Sequence, residues 1–129
     1  MASALRVLLA EDDRFLRRAG EAALRRAGFA VVTAVDDERT LELARSTRPD
    51  AILLDIIMPK LQGFEVLRRL KADPVTAPIP VIVLSNLGQE SDVERALEGG
   101  AIGYLVKANV SLDELAAKVR SLLDSAPTT

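Results

Sequence analysis

Short apolar blocks alternate along this chain with longer stretches in which apolar residues recur at helical spacing. Arg6-Val7-Leu8-Leu9-Ala10 runs straight into Glu11-Asp12-Asp13, which reads as a strand followed by an acidic loop. From Arg14 to Ala27, Leu16, Ala19, Ala23 and Ala27 share one side of a helical wheel, with Arg17, Arg18, Arg25 and Arg26 elsewhere. Asp13 is placed to cap this helix and Gly28 to stop it. Gly20 lies inside it at a cost of about 1 kcal/mol relative to Ala, a position suited to close packing. Phe29 to Ala34 is a second strand. Asp36 or Asp37 opens a second helix, Glu38 to Thr47, with Leu41 and Ala44 inward and Pro49 at its end. Ala51 to Leu54 is a third strand, followed by Asp55 and a loop bracketed by Pro59 and Gly63. Phe64 to Ala72 is a helix with Phe64, Leu67 and Leu70 on one face, and Asp73 to Pro80 is a loop with three prolines. Val81 to Leu84 is a fourth strand ending at Ser85-Asn86. Gln89 to Glu98 is a helix with Val93, Ala96 and Leu97 inward, stopped by Gly99-Gly100. Ile102 to Val106 is a fifth strand ending at Lys107. Ser111-Leu112-Asp113-Glu114 is a capping box, opening a helix striped by Leu112, Leu115, Ala116, Val119, Leu122 and Leu123.

Five strand-helix units in strict alternation predict an α/β fold: a parallel sheet with helices on both faces, because parallel neighbours need crossover connections. No boundary interrupts the pattern, so residues 1–129 are expected to form one domain, with its core over 5–123 and a tail over 124–129. Composition narrows this. Aromatics are only 3% of a chain that is 49% hydrophobic, so the core must be built from Ala, Val, Leu and Ile. A net charge of −2 advertises neither nucleic acid nor a membrane surface. The chain has no histidine, which excludes a histidine base, metal ligand or phosphoacceptor of its own. The absence of cysteine fits the cytoplasm. No apolar run approaches the roughly 18 residues that span a bilayer, and Met1 to Leu5 lacks the apolar core of a signal peptide.

Asp55 sits in an otherwise apolar run, Ala51-Ile52-Leu53-Leu54-Asp55-Ile56-Ile57-Met58-Pro59. A carboxylate buried there without partners costs several kcal/mol or loses its charge. On that stretch alone Asp55 is either the mouth of a site or a turn cap. In an open parallel sheet, ligands bind beyond the carboxyl ends of the strands. There this chain places Glu11-Asp12-Asp13, Asp55, Ser85-Asn86 and Lys107. If those strands are neighbours, the groups converge. Glu11, Asp12 and Asp55 are hard oxygen ligands suited to Mg²⁺, Lys107 is a fixed cation, and Ser85 is a hydroxyl donor. Together they make a receptor for a phosphoryl group, and a carboxylate inside it can itself be the nucleophile. Singly, each has a plainer reading: the acidic loop as a helix cap, Ser85 as a loop hydroxyl, Lys107 as a solvated lysine, Tyr104 as a half-buried strand aromatic.

In this order and spacing the motifs resemble the receiver domain of bacterial response regulators over Leu5 to Leu123. Ala10-Glu11-Asp12-Asp13 resembles the family's acidic pair, and Asp55-Ile56-Ile57-Met58-Pro59 with Gly63 resembles its phosphoacceptor motif. Val83-Leu84-Ser85 resembles the strand of the switch hydroxyl, and Gly103-Tyr104-Leu105-Val106-Lys107 that of the switch aromatic and lysine. The resemblance implies a flavodoxin-like, doubly wound (βα)5 receiver fold with strand order 2-1-3-4-5. It implies that Asp55 accepts a phosphoryl group from a phosphohistidine on a sensor histidine kinase or histidine phosphotransfer protein. Mg²⁺ would be held by Asp12, Asp55 and the Ile57 backbone carbonyl, with Glu11 acting mainly through a water. Lys107 would pair with Asp55 and then with the phosphoryl oxygens, Ser85 would bond one of those oxygens, and Tyr104 would move inward behind it. Helix four, strand five and helix five would carry the output to a protein target, and helix one, with Arg17 and Arg18, would receive the donor. The chain would thus be a cytoplasmic signalling switch that binds neither nucleic acid nor membrane, and not an enzyme acting on external substrates.

Three positions depart from the family pattern. Ala108 follows the lysine where proline is usual; a cis bond before a non-proline residue costs roughly 2.5–4 kcal/mol, which favours a trans peptide. Asn86 follows the switch hydroxyl where a small residue is usual. Gln62 stands where an acidic residue is frequent. A haloacid-dehalogenase-type phosphohydrolase would want an aspartate at Ile57. A flavin-binding domain would want a phosphate-cradling loop and more aromatics. A receiver-like interaction module that has lost phosphorylation is the remaining alternative. Apolar Ile57 and Leu87, two residues beyond Asp55 and Ser85, predict slow hydrolysis of the phosphoryl group.

Overall fold

The computed structural model describes residues 4–55, 63–86 and 89–125. Five strands, β1 (Arg6–Ala10), β2 (Ala30–Ala34), β3 (Ala51–Leu54), β4 (Val81–Ser85) and β5 (Gly103–Val106), alternate with five helices. These are α1 (Arg14–Arg26), α2 (Asp37–Thr47), α3 (Gly63–Ala72), α4 (Glu90–Glu98) and α5 (Leu112–Ser125). The strands form one parallel sheet in the order β2-β1-β3-β4-β5. No helix among the described residues is long and apolar enough to cross a membrane.

The alternation of side chains along each strand divides the core in two. Leu8, Ala10, Ile52, Leu54, Val81 and Val83 pack against α2, α3 and α4 through Ala44, Val66, Leu67, Leu70 and Ala96. Val7, Leu9, Ala51, Leu53 and Ile82 pack against α1 and α5 through Leu24, Leu115, Ala116 and Val119.

Local chemistry sets the helix ends. Asp13 accepts from the Leu16 amide at 2.9 Å, and Asp36, not Asp37, caps α2 by accepting from the Arg39 amide at 2.8 Å. Ser111 accepts from the Glu114 amide at 3.2 Å while Glu114 reaches back to the Ser111 hydroxyl at 3.0 Å, the expected capping box. Pro49 disfavours helical backbone at the residue before it, and α2 ends at Thr47 with Arg48 left-handed at φ 46°.

Three inward faces differ from the periodic reading; in α5 the difference is Leu112, which opens the stripe but is 42% exposed. In α1 the buried residues are Gly20, Ala23 and Leu24, while Leu16 is 39% exposed and Ala27 lies at the surface. The cause is Gly20: a methyl there would sit 3.1 Å from Leu9 Cδ2, so the helix lies on β1 along its glycine. In α4 the contact runs through Ala96, with Val93 half-buried and Leu97 turned outward at 46% exposure.

After α3, prolines 74, 78 and 80 leave the chain short of amide donors. Lys71 supplies them: its ammonium donates to the carbonyls of Ala77 at 3.1 Å and Ile79 at 2.8 Å. Burial lowers its pKa.

Candidate functional site

The strand registers bring the polar strand ends to one edge. Ala10 pairs with Leu54, Leu54 with Val83, and Ser85 with Val106. The Asp55 amide continues the ladder to the Ala10 carbonyl at 3.1 Å. One residue further along each register, Glu11, Asp55 and Leu84 stand level. Asn86 and Lys107 lie just beyond the ends of β4 and β5, two residues after the paired Leu84 and Leu105. All of these except Leu84 are the hydrophilic continuation of the α1/α5 face. Ser85 belongs to the opposite face, in line with Val81 and Val83, where Tyr104 packs.

Lys107 reaches back to Glu11 and Asp55. Its ammonium lies 2.5 Å from Glu11 Oε1 and 2.9 Å from Asp55 Oδ2. All three side chains are largely withdrawn from water. Burial opposes the charged lysine, but its hydrogen bonds to Glu11 and Asp55 and their charges outweigh that, and its pKa is raised. Burial likewise raises the Glu11 carboxyl; the bond from Lys107 offsets part of the rise, and the charge of Asp55 adds to it. Asp12 is exposed, yet one oxygen from each of Glu11, Asp12 and Asp55 lies within 4.8 Å of the others. Three carboxylates around one ammonium leave net negative charge, and an all-oxygen set of this kind fits a small divalent cation.

Ser85 is fully buried and hydrogen-bonded to the Tyr104 hydroxyl. Tyr104 is half-buried as expected; its pKa is raised by burial, against the opposing effect of the Ser85 bond. The Lys107–Ala108 peptide is trans, and the chain enters a 3-10 turn over Lys107–Asn109. Ile57, Gln62 and Leu87 lie outside the described residues.

Two features escaped the sequence reading. Arg17 is a brace within the fold: its guanidinium donates to the carbonyls of Glu11 and Asp12, both at 3.2 Å, and fixes the acidic loop. Beside the site, an apolar cavity of about 300 Å³ opens between α1 and the start of α5. Leu9, Leu84 and Leu115 line it, Phe15 and Leu112 flank it, and Glu11, Asn86 and Lys107 form its polar end. Phe15 is 80% exposed. Periodicity alone gives no signal for an apolar residue left in water.

The family model of the response regulator receiver domain matches residues 7–120. The chain belongs to that family. Among curated relatives, this receiver domain is 46% identical over 121 residues to the transcriptional regulatory protein PrrA of Mycobacterium leprae, covering 94% of this chain and 51% of that protein. It is 40% identical over 118 residues to the DNA-binding dual master transcriptional regulator RpaA of Synechocystis, covering 92% and 48%. The chain thus spans about half the length of these relatives. Among solved structures, the receiver domain of Francisella response regulator 1452 superposes with a TM-score of 0.85 at 30% identity, covering 93% of this chain and 97% of that one. The chemotaxis response regulator CheY4 of Vibrio cholerae gives 0.85 at 26% identity, covering 92% and 98%. The flavodoxin-like order 2-1-3-4-5 and the receiver class both stand.

Proposed function

We propose that Asp55 is the phosphoacceptor of this receiver domain and takes its phosphoryl group from a phosphohistidine on a sensor histidine kinase or histidine phosphotransfer protein. The observation that carries the reading is the Lys107 ammonium bridging Asp55 and Glu11, with the Asp12 carboxylate beside them. The donor set fits Mg²⁺: Glu11, Asp12 and Asp55 would hold it, with the Ile57 carbonyl as a further ligand. When bound, the ion supplies positive charge against the phosphoryl oxygens. Asp55 forms its bond to phosphorus as the donor's phosphorus–nitrogen bond breaks and leaves its electron pair on the imidazole. Lys107 turns from the carboxylate to a phosphoryl oxygen. Ser85 must leave Tyr104 to bond another, and Tyr104 closes the space behind it. That exchange biases the surface formed by α4, β5 and α5, which would meet a protein target.

The donor would dock on α1 beside the cavity. Arg17 is committed to the acidic loop, so exposed Arg14, Phe15 and Arg18 are the contact residues. The chain would act as a single cytoplasmic domain, catalyse only reactions of its own aspartate, and touch neither nucleic acid nor membrane itself.

The test is incubation with Mg²⁺ and acetyl phosphate or beryllofluoride. The expected result is an acid-stable, hydroxylamine-labile adduct that disappears in Asp55→Asn. An absent adduct together with no response to beryllofluoride would leave a receiver-like interaction module instead. For docking, Phe15→Ala should slow transfer from the protein donor while leaving acetyl phosphate labelling unchanged; equal transfer rates would remove α1 as the docking surface.

A further inference from the structure

All three carbonyls of the acidic loop end on Arg17. Its guanidinium donates from one nitrogen, Nη1, to the carbonyls of Glu11 and Asp12, both at 3.2 Å. Its backbone amide donates to the carbonyl of Asp13 at 2.9 Å. Arg17 lies in the first turn of α1, the turn that Asp13 caps. That turn therefore carries Glu11-Asp12-Asp13 as one unit. The three carboxylates of the site are not equally held. Lys107 binds Glu11 and Asp55, and Glu11 also accepts from the Asp13 amide at 3.2 Å. Asp12 is exposed, and no hydrogen bond among the described residues reaches its carboxylate, so its place is set by the backbone that carries it. One oxygen of Asp12 nevertheless stands within 4.8 Å of oxygens of Glu11 and Asp55.

We propose that Arg17 is a positioning residue for the divalent cation: through the Glu11 and Asp12 carbonyls it holds Asp12 within reach of Asp55, and so sets the affinity of the site for Mg²⁺. This rests on the reading of Glu11, Asp12 and Asp55 as the Mg²⁺ ligands. Two effects of Arg17 oppose each other. Its positive charge beside the carboxylates works against a second cation, so by charge alone its removal would tighten Mg²⁺ binding. Its hydrogen bonds order the acidic loop in advance, so by positioning alone its removal would loosen Mg²⁺ binding. Mg²⁺ demands near-ideal ligand geometry and gives up its waters reluctantly, which makes it sensitive to a ligand that must first be immobilised. Losing a residue that orients metal ligands typically costs about ten- to a hundredfold in affinity. The charge, in contrast, acts across a partly solvated edge and is screened by salt. Positioning prevails, and the sign of the change tells the two effects apart.

The experiment titrates MgCl₂ into the ¹⁵N-labelled full chain and follows the amide resonances of Glu11, Asp12 and Asp13, in wild type, Arg17→Met, Arg17→Gln and Arg17→Lys. Arg17→Met and Arg17→Gln lose the charge and the reach to both carbonyls, and should bind Mg²⁺ about tenfold more weakly. Arg17→Lys restores the charge and a donor, and should recover part of the affinity. The amide resonances of β1 and β3, read from the same spectra, should stay in place. Acetyl phosphate labelling supplies a second readout. In Arg17→Met the Mg²⁺ concentration that gives half the maximal rate should rise by the same factor, with the rate at saturating Mg²⁺ within about twofold of wild type. A docking residue would leave acetyl phosphate labelling untouched. Unchanged or tighter Mg²⁺ binding in Arg17→Met or Arg17→Gln would overturn the proposal, as would a rate that saturating Mg²⁺ does not restore. Loss of the strand resonances in both variants would make Arg17 a residue of the fold and overturn it too. A wild-type chain that binds no Mg²⁺ would instead remove the reading of the three carboxylates as its ligands.

Discussion

At the residue scale, one ammonium keeps two buried carboxylates together. Lys107→Met leaves Glu11 and Asp55 facing each other without a cation. Removing one partner of a buried ionic cluster costs about 3 kcal/mol or more, so urea denaturation should show a loss of that order at neutral pH. Mg²⁺ should restore part of it, because the mutant site is more anionic. The pH dependence has a definite sign. The Lys107 pKa is raised in the folded state, so its stabilisation is complete below the ordinary value of 10.5 and is lost as pH rises through the higher folded value. Lys107→Met should abolish that alkaline loss; an unchanged slope would show that Lys107 is not its source. Two glycines give a paired test. Gly28 and Gly100 have φ of 96° and 107°, where L side chains are strained. Nothing lies within 4 Å of a methyl at Gly28, whereas one at Gly100 would meet Lys71 Cγ at 3.0 Å. Gly28→Ala should cost about 1 kcal/mol, and Gly100→Ala more, measured by urea midpoints.

At the element scale, the strands and their polar ends were legible because a parallel strand buried on both faces leaves a continuous apolar run, and the first polar residue marks its end. Asp55, Ser85 and Lys107 were found that way. The helix faces were less legible. Leu16 and Ala27 satisfy the period of an inward stripe, but Gly20, which carries no hydrophobic signal, decides where α1 touches β1. Leu97 was lost to Ala96 for a related reason: α4 meets the core through its smallest apolar residue. Arg17 read as a docking charge because no local pattern announces a bond to carbonyls five and six residues back. In α3, Glu65 accepts from Arg68 and Arg69, one and the same carboxylate serving two turns. Those bonds, Arg68 first, lower its pKa to about 2. The support they give α3 is present above the ordinary value of 4.5 and lost as pH falls through about 2. The Glu65 carboxyl carbon should titrate near that lower value by NMR; a midpoint near 4.5 would mean that the clamp does not persist in solution.

At the scale of the whole molecule, the sheet separates chemistry from response. Glu11, Asp55, Asn86 and Lys107 continue the α1/α5 face, while Ser85 and Tyr104 belong to the face covered by α3 and α4. A charge arriving on Asp55 must therefore act across the sheet, and the end of β4 is the crossing. Beryllofluoride should shift amide resonances of the acidic edge and of α4 in wild type. In Ser85→Ala the shifts should stay at the acidic edge; undiminished shifts in α4 would place the crossing elsewhere. The hydroxyl that Ser85 would surrender belongs to the chain's one tyrosine, and there is no tryptophan. Tyrosine emission depends on what its hydroxyl is bonded to, so the light emitted by this protein comes from the switch itself. An unlabelled sample in a fluorimeter should report the change at Tyr104 as it happens.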